Sequence, residues 1–119
     1  GLRDYHRLVA DKNDQLGLVA WARGRLPADA TLLTFGATLT LQHYTAYDVR
    51  ELFYLAPADL DDVVRRQPTY LLLDVANIER QWAGLRPQQD YRYLQRQPGL
   101  EVVGRRAPYT LFRVKGPGT

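Results

Sequence analysis

The sequence predicts an α/β fold, a three-layer α/β/α sandwich whose mostly parallel sheet is closed by a C-terminal antiparallel hairpin. A nearly continuous apolar run over residues 69–76, with turn signals on both sides, is typical of a strand buried on both faces. Strand-like and helix-like segments alternate ahead of this run, as they do in βα units. Two further strand-like segments near the C-terminus are joined by residues 106–108, which predicts the hairpin.

The N-terminal part is predicted to form one helix and then the first strand. Apolar residues at helical spacing indicate a helix over residues 2–26, clearest from Asn13, and Pro27 ends it. Asn13 or Asp14 can cap this helix, and a start near Tyr5 is the alternative. Residues 30–35 are predicted to form the first strand. Gly36 follows this strand, and a glycine allows the backbone to turn sharply into the next helix.

The middle of the chain is predicted to contain a second strand between two helices. Residues 37–46 are a short helix candidate, and residues 49–55 are the second predicted strand. Pro57 is compatible with the first turn of the next helix, which Pro68 ends. Pro68 therefore leads the chain directly into the central strand.

Two helical segments are expected between the central strand and the hairpin. Asn77 can cap a helix that extends to about residue 85. Pro87 should break that helix, and a second segment is predicted over residues 88–97. The hairpin strands are then residues 100–105 and 109–114.

A chain of 119 residues is enough for one domain. We expect residues 1–119 to form a single α/β domain, with a lead-in over 1–11, a core over 12–115 and a tail over 116–119. Gly1 in place of a methionine suggests a fragment of a longer protein. No apolar run approaches the ~20 residues of a membrane span, so the chain as given is expected to be soluble.

Composition excludes several kinds of site. The sequence has no cysteine, which excludes disulfides, thiolate metal sites and cysteine nucleophiles, and it has no serine for a catalytic triad. The two histidines, His6 and His43, are too far apart in sequence for a metal-binding pair. We therefore predict no metal site, no cofactor and no catalytic residue in this chain.

The net charge of +3 is weak evidence for a partner. Nearly all of the 16 basic residues are arginines, since only Lys12 and Lys115 are lysines. They are scattered among 13 acidic residues without a basic block. A solvated surface is therefore favoured over a nucleic-acid interface, and weak attraction to anionic lipid headgroups is a further alternative.

Candidate ligand-binding residues gather where the predicted parallel strands end. Ligands of open α/β sheets bind outside the carboxyl ends of the strands. This rule groups Gly36, Thr38, Asp74, Asn77 and, less directly, His43. Gly36 lacks the further glycines of a nucleotide-binding loop, although backbone amides at a helix start can hold an anion. The structural alternatives are a turn for Gly36 and a packed or surface position for His43.

Asp74 has a second possible interpretation. An aspartate that ends a central strand, with Lys115 near the end of the last strand, is similar to the phospho-acceptor arrangement of receiver domains. That family needs an acidic pair after its first strand to hold magnesium, and residues 35–37 contain no acid. A carboxylate that caps the following helix or bonds loop amides is therefore favoured.

Several segments together resemble one family, the C-terminal soluble domains of bacterial polytopic membrane glycosyltransferases. These enzymes are related to dolichyl-phosphate-mannose protein mannosyltransferases and aminoarabinose transferases. The likeness extends over residues 12–115. The segments that show it are residues 32–36, 41–45, 49–52, 70–74, 77–82 and 104–114.

The resemblance implies an accessory domain of a membrane enzyme. It implies membrane helices upstream of Gly1 as partners, a lipid-phosphate-linked sugar donor and an extracytoplasmic location. The family's catalytic acid lies in an early loop between membrane helices, and no position here matches it. The alternatives are a free-standing α/β module that binds a small ligand or a protein, and a nucleic-acid-binding module.

Overall fold

A computed structural model describes the backbone of residues 2–116 and the side chains of residues 12–116. Within residues 2–116, helices and strands alternate as far as Gln81, and a 3-10 helix covers Leu52–Tyr54. The helices are α1 (Leu2–Arg23), α2 (Thr38–Tyr44), α3 (Pro57–Arg66), α4 (Val75–Gln81) and α5 (Arg86–Arg96), and the strands are β1 (Thr31–Thr34), β2 (Asp48–Glu51), β3 (Thr69–Leu73), β4 (Leu100–Arg106) and β5 (Tyr109–Val114).

The strands form one five-stranded sheet in the order β2-β1-β3-β5-β4. β1 pairs in parallel with β2 and β3, whereas β5 pairs antiparallel with β3 and β4. The protein is therefore an α/β domain with a mixed, partly parallel sheet. β3 occupies the centre, as its apolar run predicted.

Both faces of the sheet are covered by apolar side chains. Leu71 and Leu73 belong to a buried cluster that includes residues of α3, α4 and α5. Leu72, which points the other way, belongs to a second cluster with residues of α1 and α2. All three leucines are fully buried. An unbroken apolar run is needed at β3 because each of its faces meets a different set of helices.

One edge of the sheet collects the ends of four strands. Thr34 pairs with Glu51 and with Leu72, so β1, β2 and β3 end side by side. β4 ends at the same edge, because Arg106 pairs with Tyr109 at the start of β5. We call this the carboxyl edge.

The second strand is shorter than predicted. Residues 49–55 were expected to be extended, but β2 ends at Glu51 and the 3-10 helix follows. The Glu51 carboxylate accepts a 2.7 Å hydrogen bond from the backbone N–H of Phe53. This bond caps the 3-10 helix and turns the chain at the carboxyl edge.

The helices after β3 begin earlier than predicted. Asp74, not Asn77, is the N-cap of α4, which ends at Gln81. A turn then contains Gly84 at φ +77°. α5 begins at Arg86 rather than at residue 88, because Pro87 fits the first helical turn, where its missing N–H has no intrahelical partner.

Strand β4, at one margin of the sheet, is irregular. Val102 pairs with Phe112 and Gly104 pairs with Leu111, so Val103 is an extra residue. A Cβ on Gly104 would lie 3.2 Å from the Trp21 ring, so glycine permits α1 to approach closely here. Within residues 2–116, no helix is long and apolar enough to span a bilayer. Residues 117–119 of the predicted tail lie outside the described part.

Candidate ligand-binding site

The carboxyl edge contains a topological switch point between β1 and β3. The chain leaves β1 into α2, which packs in the cluster with α1, through Ala37 and Leu41. It leaves β3 into α4, whose Ile78 packs in the opposite cluster. The two helices therefore lie on opposite faces of the sheet, which is the arrangement in which open α/β sheets bind ligands. Gly36 follows the segment after β1, and Asp74 follows β3 directly.

Gly36 lies where a side chain would be strained. Its φ of +91° is uncommon for residues other than glycine, and a Cβ at this position would contact nothing within 4 Å. The glycine is therefore required by backbone conformation rather than by crowding. As a result, the turn after β1 leaves open space beside Gly36.

A cleft of about 580 Å³ extends from Gly36 toward α1 and the β4–β5 connection. Its walls come from three separate parts of the chain. They are Asp14, Gln15 and Leu18 of α1, Gly36, Ala37 and Thr40 around the start of α2, and Arg106, Ala107, Pro108 and Tyr109 of the β4–β5 connection. The volume is within the range of small-molecule sites, about 300–1,000 Å³.

Arg106 is the basic group of this cleft. Its guanidinium group lies against Gly17 of α1 and leaves no room there for a Cβ. Arg106 has no carboxylate partner among residues 12–116. The guanidinium is thus held near the cleft by packing, with donors available for an acceptor on a ligand.

Tyr109 connects the cleft with Asp74. Burial raises the pKa of the Tyr109 phenol, and the negative charge of Asp74 raises it further. The hydroxyl therefore remains protonated at neutral pH and can donate a hydrogen bond. The ring is half-buried and forms one wall of the cleft.

Thr38 is buried and supports the edge from within. Its hydroxyl donates a 2.8 Å hydrogen bond to the Glu51 carboxylate. The other oxygen of Glu51 accepts the Phe53 N–H. This network ties the start of α2 to the end of β2 and so fixes these two segments of the carboxyl edge.

Asp74 and Asn77 are engaged within α4. Asp74 Oδ1 accepts the Asn77 backbone N–H at 3.1 Å, and the Asn77 side chain donates to Gln81 at 2.7 Å. His43 is exposed in the last turn of α2, edge-to-face with Tyr44, at the opposite end of the helix from Gly36. Of the five predicted residues, only Gly36 lines the cleft.

The structure also reveals an aromatic cluster at the carboxyl edge that the sequence did not indicate. Trp82 meets Phe35 edge-to-face at 4.7 Å and Phe53 at 6.3 Å between ring centroids, and Phe53 meets Tyr54 at 5.6 Å. Because residues 49–55 were predicted to form a strand, the 3-10 helix that carries Phe53 and Tyr54 was not expected. The sequence does place aromatic residues at 53, 54 and 82, each in the segment after a strand, and this position was the available signal for the cluster.

No group of three or more histidine, aspartate or glutamate side chains is arranged to hold a metal ion in the described part of the chain. The lining of the cleft combines the guanidinium group of Arg106, the carboxylate of Asp14, the polar side chains of Gln15 and Thr40, and apolar walls. Its residues can orient a polar molecule that carries a negative or hydroxylated group.

The fold and its edge define an α/β domain with a mixed sheet and a ligand-sized cleft between α1, the start of α2 and the β4–β5 connection. Comparison of the chain with protein-family models, curated proteins and solved structures found no match.

Proposed function

We propose that this chain is an accessory, non-catalytic domain of a membrane glycosyltransferase that uses a lipid-phosphate-linked sugar donor. The cleft would hold part of that donor or of the acceptor. The parent enzyme would supply upstream transmembrane helices and keep the domain on the extracytoplasmic side. Two lines of support are the family resemblance of residues 12–115 and the cleft at the carboxyl edge, which is the main observation.

The overall arrangement in this proposal is a three-layer α/β/α sandwich closed by the β4–β5 hairpin. The two buried clusters on opposite faces of the sheet support the layers. In such a sandwich the ligand approaches from the edge, because both faces are covered by helices.

The cleft has suitable chemistry for a sugar phosphate. Arg106 supplies a guanidinium group, which can donate two parallel hydrogen bonds to phosphate oxygens. Gln15 and Thr40 can exchange hydrogen bonds with sugar hydroxyls. Leu18 and Tyr109 provide apolar surface for the face of a sugar ring.

The same side chains favour binding over catalysis. Glycosyl transfer needs a base for the acceptor hydroxyl and a cation or basic clamp for the leaving phosphate. Asp14 is the carboxylate among the cleft-lining residues, and Asp74 beside the cleft is engaged as a helix cap. A single arginine is the basic group of the cleft. Catalysis would therefore come from the membrane part of the enzyme.

Binding is tested by NMR titration of the 119-residue chain with a short-chain prenyl-phosphate sugar, the matching sugar 1-phosphate and inorganic phosphate. The amides of Gly36, Thr40 and Tyr109 should shift with the two sugar phosphates. Arg106→Gln should weaken this binding at least tenfold, whereas Arg66→Gln, on the distant end of α3, should leave it unchanged. Shifts scattered over other surfaces would contradict the cleft.

The non-catalytic role and the attachment to a membrane enzyme are tested in separate experiments. Turnover of a prenyl-phosphate sugar by the 119-residue chain, abolished by Asp74→Asn, would refute the non-catalytic role. Membrane spans encoded ahead of Gly1 in the full reading frame would support the accessory domain. A full frame without them would favour the free-standing binding module.

A further inference from the structure

The carboxyl group of Asp90 is buried without a hydrogen-bond partner. Asp90 lies in the middle of α5, and its exposed fraction is 0%. Within residues 12–116, neither of its side-chain oxygens takes part in a hydrogen bond. Buried polar groups are rarely left in this condition, because burial removes their hydrogen bonds to water. The cleft does not account for this group, since the cleft is lined by α1, the start of α2 and the β4–β5 connection.

Asp90 shares a helix face with the residues that hold α5 on the domain. Tyr91 and Leu94 belong to the buried cluster that also contains Leu52 of the 3-10 helix and Leu60 of α3. α5 packs against both of these helices. Helical spacing places residues 90, 91 and 94 on one inward face of α5. The carboxyl group is thus enclosed in the contact between α5 and the rest of the domain.

The charges near Asp90 do not give it a partner. Burial raises the pKa of Asp90 to about 7, the positive charge of Arg86 one turn earlier opposes this rise, and the negative charge of Asp59 reinforces it. Asp59 lies in the first turn of α3, where its carboxylate accepts the Ala56 N–H at 2.8 Å. Arg86 makes no hydrogen bond to either oxygen of Asp90. A neutral carboxyl group is therefore the form that fits this enclosed position.

The other titratable groups on the elements packed against α5 are engaged elsewhere or lie in solvent. Asp61 of α3 accepts a 2.6 Å hydrogen bond from the Tyr93 hydroxyl, and Glu79 of α4 pairs with Arg92 at 2.8 Å. The titratable side chain of the 3-10 helix is Tyr54, which is 79% exposed. The remaining charged side chains of α3, α4, α5 and the adjoining β5 are exposed or in ion pairs: Asp62, Arg65, Arg66, Arg80, Arg96 and Arg113.

α5 can separate from the domain without loss of the sheet. The five strands pair with one another, and none of the pairing involves α5. The helix is joined to α4 through a turn that contains Gly84 and to β4 through a turn that contains Gly99, and both glycines have a positive φ. Its two side-chain contacts to Asp61 and Glu79 are exposed, and exposed contacts stabilise little. Such a segment opens at a lower free energy than the whole domain.

We propose that α5 is a pH-sensitive flap, which separates from the 3-10 helix and from α3 when Asp90 loses its proton. In the closed state a carboxylate would lack both water and a hydrogen-bond donor. In the open state water solvates the group, and it ionises as an ordinary aspartate. Because the closed state holds the extra proton, a rise in pH favours opening. The flap lies on the face of the sheet opposite α1 and α2, so it does not rest on the proposed glycosyltransferase role.

The test is amide hydrogen exchange of the 119-residue chain, followed by NMR at pH 5 and pH 8 and corrected for the intrinsic exchange rates. The opening constants of the Tyr91 and Leu94 amides should rise about 50–100-fold, as expected for an acid whose pKa changes from 3.8 to about 7. The amides of Leu71 and Leu72 in β3 should be more protected at both pH values. Urea below the unfolding transition should accelerate exchange in β3 more than in α5, because local opening exposes little surface.

Two variants of Asp90 separate its effect from that of other groups. Asp90→Asn and Asp90→Leu both remove the titratable group, so the opening constants in α5 should become equal at pH 5 and pH 8. Tyr93→Phe is the control, because it removes the hydrogen bond to Asp61 and leaves Asp90 in place. It should raise the opening constants by the same factor at both pH values.

Three results would overturn the proposal. Equal opening constants and equal urea dependence in α5 and β3 would mean that α5 separates only when the whole domain unfolds. Opening constants of the wild type that do not change with pH would show that the proton of Asp90 does not control the flap. A pH effect that persists in both Asp90 variants would assign it to a different group.

Discussion

The Asp74 carboxylate accepts a 3.1 Å hydrogen bond from the backbone N–H of Asn77, three residues further along the chain. Both residues were grouped as candidate ligand-binding residues, and a carboxylate that caps the following helix was the favoured interpretation of Asp74; the hydrogen bond is this cap. A carboxylate at this position also interacts favourably with the positive end of the helix. This relationship accounts for an aspartate at the end of the central strand without phosphoryl chemistry.

Asp74→Ala should therefore reduce the free energy of unfolding by roughly 0.5–2 kcal/mol, as for other lost N-caps. Asp74→Asn should retain most of the stability, because asparagine is an equally good cap. Urea denaturation of the three proteins measures both effects. Acetyl phosphate should not label the wild type; stable phosphorylation of Asp74 would restore the receiver-domain interpretation.

Leu72→Ala should be strongly destabilising, because Leu72 is fully buried at the centre of the sheet. Truncation of a buried leucine leaves a cavity and typically costs ~2–5 kcal/mol. Leu39→Ala is the matched control, since Leu39 is 81% exposed on α2. Chemical denaturation should show a large loss for the first variant and almost none for the second. Equal losses would mean that the central strand is misassigned.

A buried carboxyl group should make stability depend on pH. Asp90 of α5 is fully buried, and neither of its side-chain oxygens has a hydrogen-bond partner within the described residues. Burial raises its pKa to about 7, opposed by the charge of Arg86 and reinforced by that of Asp59. The unfolded chain has an ordinary aspartate, so between about pH 4 and 7 only the folded state holds this proton.

Because the folded state binds the extra proton, this group makes the protein less stable as pH rises from about 4 to 7, and the loss levels off above that range. Asp90→Asn should remove this slope and be more stable than the wild type at pH 8, by about 1–3 kcal/mol. Urea midpoints at pH 5 and pH 8 for both proteins measure it. If the stability difference between Asp90→Asn and the wild type were the same at pH 5 and pH 8, the raised pKa of Asp90 would be contradicted.

Gly17→Ala should weaken ligand binding in the cleft without destabilising the fold. The new methyl group would displace the end of the flexible Arg106 side chain, while alanine favours the interior of α1 by roughly 0.5–1 kcal/mol. Thermal unfolding should therefore be unchanged or slightly improved, and affinity for a sugar phosphate should decrease. Gly24→Ala is the control, because its Cβ would make only ordinary contacts with the α1 backbone. Unaltered affinity in Gly17→Ala would exclude Arg106 as a ligand contact.

Local sequence patterns were sufficient to predict the elements that are determined by residues close together in the chain. The apolar run identified β3, and Gly36 marked the turn after β1, since both signals lie within a few residues. The end of β2 was not predicted, because it depends on one hydrogen bond from the backbone N–H of Phe53 to the Glu51 carboxylate, which starts a 3-10 helix where an extended strand was expected.

The cleft could not be predicted in the same way. Asp14, Gly36 and Arg106 come together only through the helix packing and the order of strands. A single sequence contains no signal for contacts between such distant residues. The rule that ligands bind at the carboxyl ends of strands pointed to the edge beside which the cleft lies, but helix capping and local bonding engage Asp74, Asn77 and Thr38 there.

The extra residue in β4 has a consequence for how the protein behaves at high concentration. β4 forms a margin of the sheet and exposes Val102 and Val103, a combination that invites pairing with a strand of another molecule. The bulge interrupts the regular spacing of free N–H and C=O groups that such pairing requires. The opposite margin, β2, is only four residues long and carries the charged pair of Asp48 and Arg50. Both margins are thus poor templates for fibril growth, and deletion of Val103 would create a better one.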